Sequence, residues 1–368
     1  MRRLARQGLA RLDGLAGLVR RRHYDRARPG NLVVTQGALP PGPHMAIFLI
    51  YQPAGLAGSI PVALAALCAA GAVPLVISNT ALSAADRAAL AAQAWRVVER
   101  PNTGYDFGGY REGIAQLHDA GLDPATLWIL NDSGWFPSCG GPDRFAALIA
   151  PAAAMSGGMF RFLKGGREWI ESYFLHVPAS TRRHPAFGGF FRRYPLLNLK
   201  YAVVRHGEMG LGRALRRGGL RVDSKVSNAR FISLLQDQPP AFLRKMLDYG
   251  GLVPDALQAA RARLLARTET DPDWSDADWP AAVIAHVRAS LERSEFYYQF
   301  PYASVHLLGF PFIKKGPDPR YMVWRRQHLA AVRAGDLPPL PPAIQTELAA
   351  AVARDAAKAD VDWRLPAG

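Results

Sequence analysis

The chain has 368 residues, long for one compact domain and ample for an α/β domain with a helical appendage. Its hydrophobic fraction of 49% excludes a disordered chain, and no apolar run reaches the roughly 20 residues that crossing a bilayer requires. Lys and Arg number 45 against 30 Asp and Glu, a formal charge of +15. That excess reflects either GC-rich coding or attraction to an anionic partner such as a nucleotide diphosphate or lipid head groups. The basic residues are scattered, with no recognition helix, zinc spacing or aromatic RNA-binding signature, so nucleic acid is not an expected partner. Cys68 and Cys139 are far apart and outside metal-ligand spacing. They rule out a disulfide framework and fit a reducing, cytoplasmic setting.

The first 30 residues mix Arg2, Arg3, Arg6 and Arg11 with Leu4, Leu9, Leu12, Leu15, Leu18 and Val19, ahead of Arg20-Arg21-Arg22. A secretory signal would need a continuous apolar core and a small-residue cleavage site, and neither is present. The pattern predicts a basic helix, either lying on anionic lipid at the inner face of the cell membrane or solvated at a protein surface. Pro29, Gly30, Pro40, Pro41, Gly42 and Pro43 then mark a linker over 28–44. Beyond it, apolar strands at Met45 to Tyr51, Val73 to Ser78, Trp95 to Val98 and Leu127 to Leu130 alternate with helices at Ile60 to Ala70, up to Ala92 and through Leu117. Ser83 followed by Asp86 caps the second of these helices. Apolar strands alternating with helices predict a parallel sheet covered on both faces, with ligands bound beyond the carboxyl ends of the strands. Phe160 to Val222 mixes strands with helix, and Phe231 to Arg293 is mainly helical. The expected organisation is 1–44 as basic helix and linker, 45–230 as an α/β ligand-binding domain, and 231–368 as a mainly helical region.

Four clusters carry chemistry. Arg100-Pro101-Asn102-Thr103-Gly104-Tyr105-Asp106-Phe107-Gly108-Gly109-Tyr110 follows a strand and opens a helix. It is either an anion or polar-ligand turn at a helix N-terminus or a tight turn with a capping Asp106. Asn131-Asp132-Ser133 ends the fourth strand, where a carboxylate either meets Mg²⁺ or Mn²⁺ and diphosphate oxygens or forms an Asx-turn. Glu208, before a helix stopped by Gly218-Gly219, is either a general base or a first-turn complement to the helix dipole. In Tyr302 to Lys315, His306 either completes a metal shell with Asp132 or is a hydrogen-bonded structural residue, and Lys314 with Lys315 can neutralise a leaving diphosphate.

Taken in this order, the clusters resemble the rhamnan synthesis protein F family of bacterial glycosyltransferase-like proteins. The resemblance runs from about Ala46 to Lys315 through Asn102 to Gly108, Leu130 to Ser133, Glu171-Ser172-Tyr173-Phe174, Glu208, and His306 with Pro311-Phe312-Ile313-Lys314. More distantly the layout is similar to family 2 glycosyltransferases. The resemblance implies a GT-A-like, Rossmann-type sheet with flanking helices and a mainly helical C-terminal part. It implies transfer of a sugar, such as rhamnose, from a nucleotide diphosphate donor to a glycan or lipid-linked acceptor of a bacterial surface polysaccharide, with inversion. Arg100, Asn102, Gly104, Tyr105, Asp106, Asn131, Asp132, Ser133 and Lys314 would then bind donor. Asp132 and His306 would hold a divalent cation, and Glu208, with Glu171 second, would act as base. Two departures stand out: a single carboxylate where the metal-binding relatives carry two, and Glu171 where the family has Gln. The first leaves a second reading, a non-catalytic subunit of a polysaccharide assembly complex, and the second points to an acceptor different from the family's usual one.

Overall fold

A strand that is apolar throughout is stable only where both faces of its sheet are covered, and the apolar runs of this chain fold in that setting. The computed structural model describes residues 2–139, 141–150, 156–164, 167–270, 274–292 and 294–357. Two units emerge: the first comprises Met1–Asp132 and Ile149–Lys225, the second Ser133–Leu148 and Val226–Gly368.

In chain order the first unit begins with α1 (Arg2–Asn31), β1 (Val33–Gln36), β2 (His44–Ile50), α2 (Ser59–Ala69), β3 (Val73–Ser78), α3 (Ala84–Ala91), β4 (Arg96–Glu99), α4 (Tyr105–Asp119) and β5 (Thr126–Asn131). The chain leaves it through β6 (Gly134–Trp135) and α5 (Gly141–Ile149), then returns as β7 (Ser156–Lys164), β8 (Arg167–Ile170) and β9 (Phe174–Pro178). Next come α6 (Ala179–Arg183), α7 (Pro185–Arg193), α8 (Lys200–Val203), a π-helical turn (Val204–Glu208), α9 (Met209–Arg217) and β10 (Val222–Val226). The nine-stranded sheet has the order β1-β4-β3-β2-β5-β9-β7-β10, with β8 paired to β7. Its centre is parallel: β4 on β3, β3 on β2, and β2 on β5. β1, β9, β7 and β8 pair antiparallel. The fold is therefore mixed α/β, with a parallel heart at the expected strands. Ser83 caps α3 by accepting from Asp86 N at 3.0 Å, as its spacing predicts. The stretch 28–44, expected as linker, instead holds the last turn of α1 and the edge strand β1, whose register runs Val33 to Gln36 against Glu99 to Arg96.

Met45, Ile47 and Leu49 of β2 enter one core with Leu75, Ile77, Phe107, Tyr110, Leu211, Leu215 and Ala10 of α1. The intervening Ala46, Phe48 and Ile50 are equally buried, so both faces are covered. Helix α4 lies unusually close to β2 because Gly109 and Gly113, four residues apart, face it. A Cβ on Gly113 would come 2.6 Å from Ile47, and one on Gly109 2.4 Å from Leu49. Helix α1 is anchored into this unit. Asp13 pairs with Arg20 and accepts from the backbone N–H groups of Asn198 and Leu199 at 3.0 Å each. Arg20 also donates to Leu196 O at 2.7 Å.

The second unit continues with α10 (Asn228–Leu235), α11 (Pro240–Asp248), α12 (Asp255–Glu269), α13 (Trp279–Leu291), α14 (Phe296–Gln299), α15 (Pro301–Leu308), β11 (Ile313–Lys314), α16 (Pro319–Arg333) and α17 (Pro342–Ala356). Among the described residues it is helical apart from the β6–β11 pair. Aromatic packing dominates it: the Tyr297 and Phe310 rings stack at 4.8 Å, with Trp324 and Phe296 against them. The buried Arg325 guanidinium is neutralised by Asp355 at 2.6 Å and also donates to the carbonyls of Lys314 and Gly316.

The close approach of α4 to β2 yields a direct expectation. Gly113→Leu forces atoms into space occupied by Ile47 and should cost about 1–3 kcal/mol of stability, read from the urea midpoint at unchanged slope.

Candidate functional site

Parallel pairing brings the ends of β2, β3, β4 and β5 to one edge of the sheet, and strand order reverses at β2, the point at which open α/β sheets form a crevice. There the β2 and β5 ends are clamped together by Asp132. Its Oδ2 accepts from Tyr51 N at 2.8 Å and from Gln52 Nε2 at 2.6 Å, and its own N–H donates to Leu49 O. Gln52 is itself held through its Oε1, which accepts from Ala57 N.

Beside this clamp, Asn131 Nδ2 donates to Asp106 Oδ2 at 3.0 Å and to the Tyr110 hydroxyl at 2.9 Å. The buried Tyr110 hydroxyl donates in turn to Ser172 O at 2.7 Å. Ser172 Oγ then donates to Glu208 Oε1 at 2.7 Å. Hydrogen bonds that meet at Ser172, one set at its carbonyl and the other at its hydroxyl, thus link the end of β5, across α4, to the π-helical turn. Burial, with the neighbouring Asp106, Glu208 and Asp132 charges, pushes the Tyr110 phenol well above its ordinary range. It stays protonated, so the direction of each bond it makes is set.

The turn before α4 has left-handed backbone at Gly104 (φ 87°) and at the half-exposed Tyr105 (φ 49°). Gly104 is required twice over: its φ suits glycine, and a Cβ would meet Leu196 at 2.8 Å. Asn198 Oδ1 accepts from Gly104 N at 3.4 Å, and Asn102 is exposed on the turn. Arg100 is buried and turned inward, with Nε on the Tyr24 hydroxyl, Nη1 on Asn79 Oδ1 and Nη2 on Thr103 O. In that position it braces the turn. The Tyr24 hydroxyl donates to Glu112, and its pKa is pushed up to about 12, chiefly by burial. Burial also pushes the Glu112 carboxyl up, but Arg28, Gln116 and Tyr24 outweigh it and hold the group below the usual range.

Glu208 does not open a helix, as its sequence setting suggests. It lies inside a continuous helical run from Lys200 to Arg217, at the end of the five-residue π-turn. Such turns insert one extra residue and re-aim a side chain. Its neighbour Gly207 packs on Phe107 so tightly that a Cβ would fall 2.6 Å from the ring. Glu171 is half-buried, next to Ser172.

Of the residues singled out from sequence, Asp106, Asn131, Asp132 and Glu208 gather around Tyr110, and the Gly104 turn adjoins them. Ser133, His306 and Lys314 belong to the second unit. Within it, Ser133 O accepts from Lys315 N at 2.9 Å, and Lys314 O accepts from Arg325. His306 Nε2 donates to Asp336 O at 2.8 Å, and its ring packs on Tyr302 at 4.5 Å. Tyr110 and Ser172 stand within the quoted clusters but carry no role in a reading of the sequence alone, and Gln52 escapes it altogether. A signal existed for Tyr110, which stands four residues after Asp106 and therefore on the same helix face. Among the described residues no three His, Cys, Asp or Glu side chains are grouped to hold a metal ion. A hard cation at Asp132 would take its remaining oxygen ligands from a substrate and water.

No family model matches the chain. An uncharacterized protein, y4gN, of Sinorhizobium fredii is 29% identical over 340 residues, covering 91% of this chain and 86% of its own length. Among solved structures, the mannosyltransferase PcManGT from Pyrobaculum calidifontis, in complex with GDP-Man and Mn²⁺, is similar at 12% identity. That match covers 97% of this chain and 98% of that one with a TM-score of 0.33. At that score the likeness leaves fold and chemistry to be argued from this chain's own residues.

Tyr110→Phe removes the hydroxyl that Asn131 and Ser172 share and should lower stability by about 1–3 kcal/mol, measured by equilibrium unfolding.

Proposed function

We propose that the chain is an inverting glycosyltransferase that takes its sugar from a nucleotide diphosphate donor. The observation that supports this best is the convergence of Asp106, Asn131, Asp132 and Glu208 about the Tyr110 hydroxyl, at the crevice edge of the parallel strands. The motif resemblance to the rhamnan synthesis protein F family points the same way. It adds a donor of the dTDP-rhamnose kind and a glycan or lipid-linked acceptor of a surface polysaccharide. The residues that carry the chemistry lie in the first unit. Asn102, the Gly104–Tyr105 turn and Asp106 receive the donor, and Tyr105 offers an exposed ring beside it. Glu208, oriented by Ser172, takes the proton of the acceptor hydroxyl as its oxygen bonds to the anomeric carbon and the diphosphate leaves. With one base and no covalent nucleophile, configuration inverts. Mg²⁺ or Mn²⁺ bound by Asp132 and the diphosphate oxygens would supply charge neutralisation to the leaving group.

Nucleotide release from a panel of sugar nucleotides, with and without Mn²⁺, tests the reading. Asp132→Asn keeps an acceptor for Tyr51 N and Gln52 while removing the charge, and should lower turnover about 10²-fold or more. Glu208→Gln keeps the Ser172 bond and should cost about 10²–10⁴-fold. If no donor binds or turns over, the chain is instead a non-catalytic subunit of a polysaccharide assembly complex.

A further inference from the structure

Exposed large apolar side chains concentrate on one helix of this protein. Leu9, Leu12, Leu15, Leu18 and Val19 of α1 are 56%, 64%, 66%, 39% and 53% exposed. At 100° per residue they fall on one half of the helix, while Ala10, Asp13, Gly17 and Tyr24 occupy the other and are buried. The packed half is fully engaged, through Asp13 and Arg20 on residues 196–199 and through Tyr24 on Glu112. The outer half is therefore not a face waiting to fold onto its own unit. Leu199 and Tyr201, on the segment that packs against α1 through the Asp13 anchor, are also exposed, at 41% and 44%.

Basic residues accompany the exposed apolar ones. Arg11, Arg22 and Arg26 are exposed on the outer half of α1, and Lys200, Arg205 and Arg213 are exposed on the helical run that follows Leu199. The only acidic residues of α1 are Asp13 and Asp25, and both are engaged, with Arg20 and Arg111 respectively. No helix among the described residues is long and apolar enough to cross a membrane. An apolar stripe flanked by unopposed arginines, on a helix held down by its other face, is the arrangement that beds into the head-group region of a bilayer.

We infer that the outer face of α1 seats this protein on an anionic lipid surface. The leucines enter the acyl boundary and the arginines meet lipid phosphates. The inference is independent of the transferase reading, because vesicle binding and donor turnover are separate measurements. Because α1 also holds the turn before α4 through Tyr24 and Arg100, deleting it would disturb the crevice. The test therefore uses substitutions on its exposed face.

The full chain is sedimented with vesicles of phosphatidylcholine alone and with vesicles containing phosphatidylglycerol. The wild type should partition onto the anionic vesicles and be released by salt. Leu12→Glu combined with Leu15→Glu should reduce partitioning about 10-fold or more with an unchanged thermal unfolding curve. Should that pair fail to fold, Arg22→Glu with Arg26→Glu tests the electrostatic half, with loss of the preference for anionic over neutral vesicles expected. Equal binding by wild type and variants overturns the inference, as does no binding to either vesicle. A wild-type dimer that the leucine substitutions turn into a monomer, with no vesicle binding, would assign the face to a second copy of the chain.

Discussion

Parallel pairing of β2 with β3 on one side and β5 on the other is the constraint from which the rest of the first unit follows. Parallel neighbours need crossovers, so α2, α3 and α4 must cover the sheet, and the central strands β2, β3 and β5 are buried on both faces. The same pairing delivers four strand ends to one edge, and the reversal of direction at β2 parts the chain there. Asp132 bridges that parting with two hydrogen bonds to the residues after β2. One carboxylate thus closes the seam between the two strand ends.

The polar groups around it meet at shared residues rather than as isolated pairs. A protonated Tyr110 accepts from Asn131 and donates to the Ser172 carbonyl, while the Ser172 hydroxyl donates separately to Glu208. Such a network is favourable in a buried setting because each member satisfies the next, and its cost appears only when one link is missing. Glycines let the surrounding elements come close enough for the links to meet. Gly109 and Gly113 bring α4 onto β2, Gly207 brings the π-turn onto Phe107, and Gly104 brings the preceding turn onto Leu196.

Much of this was readable in the amino-acid order, for physical reasons that differ by element. The strands at Val73–Ser78 and Thr126–Asn131 announce themselves because complete burial demands unbroken apolar runs. The edge strand β1 does not: Val33, Val34 and Gln36 are exposed or half-exposed on one flank of the sheet, where composition is unconstrained, and the surrounding prolines read as linker. The NTGYDFGG turn and the strand-end Asn131-Asp132 were visible as clusters, but Tyr110 was not visible as their connector. A tyrosine on a helix reads as core until the partner of its hydroxyl is known, and that partner, Ser172, lies 62 residues away. The π-turn that aims Glu208 was equally hidden, since one inserted residue within a helical run leaves no signature in residue type.

The placement of α1 has a consequence for biosynthesis. Its packing partners at Leu196 and Asn198 lie 176 and 185 residues downstream of Arg20 and Asp13. At roughly 5–20 residues per second of translation, the helix spends on the order of 10–40 s outside the ribosome before they emerge. During that interval its future buried face, with Ala10, Gly17 and Tyr24, is as accessible as the leucine face. The helix must therefore stay clear of wrong partners until Asn198 and Leu199 emerge to claim Asp13.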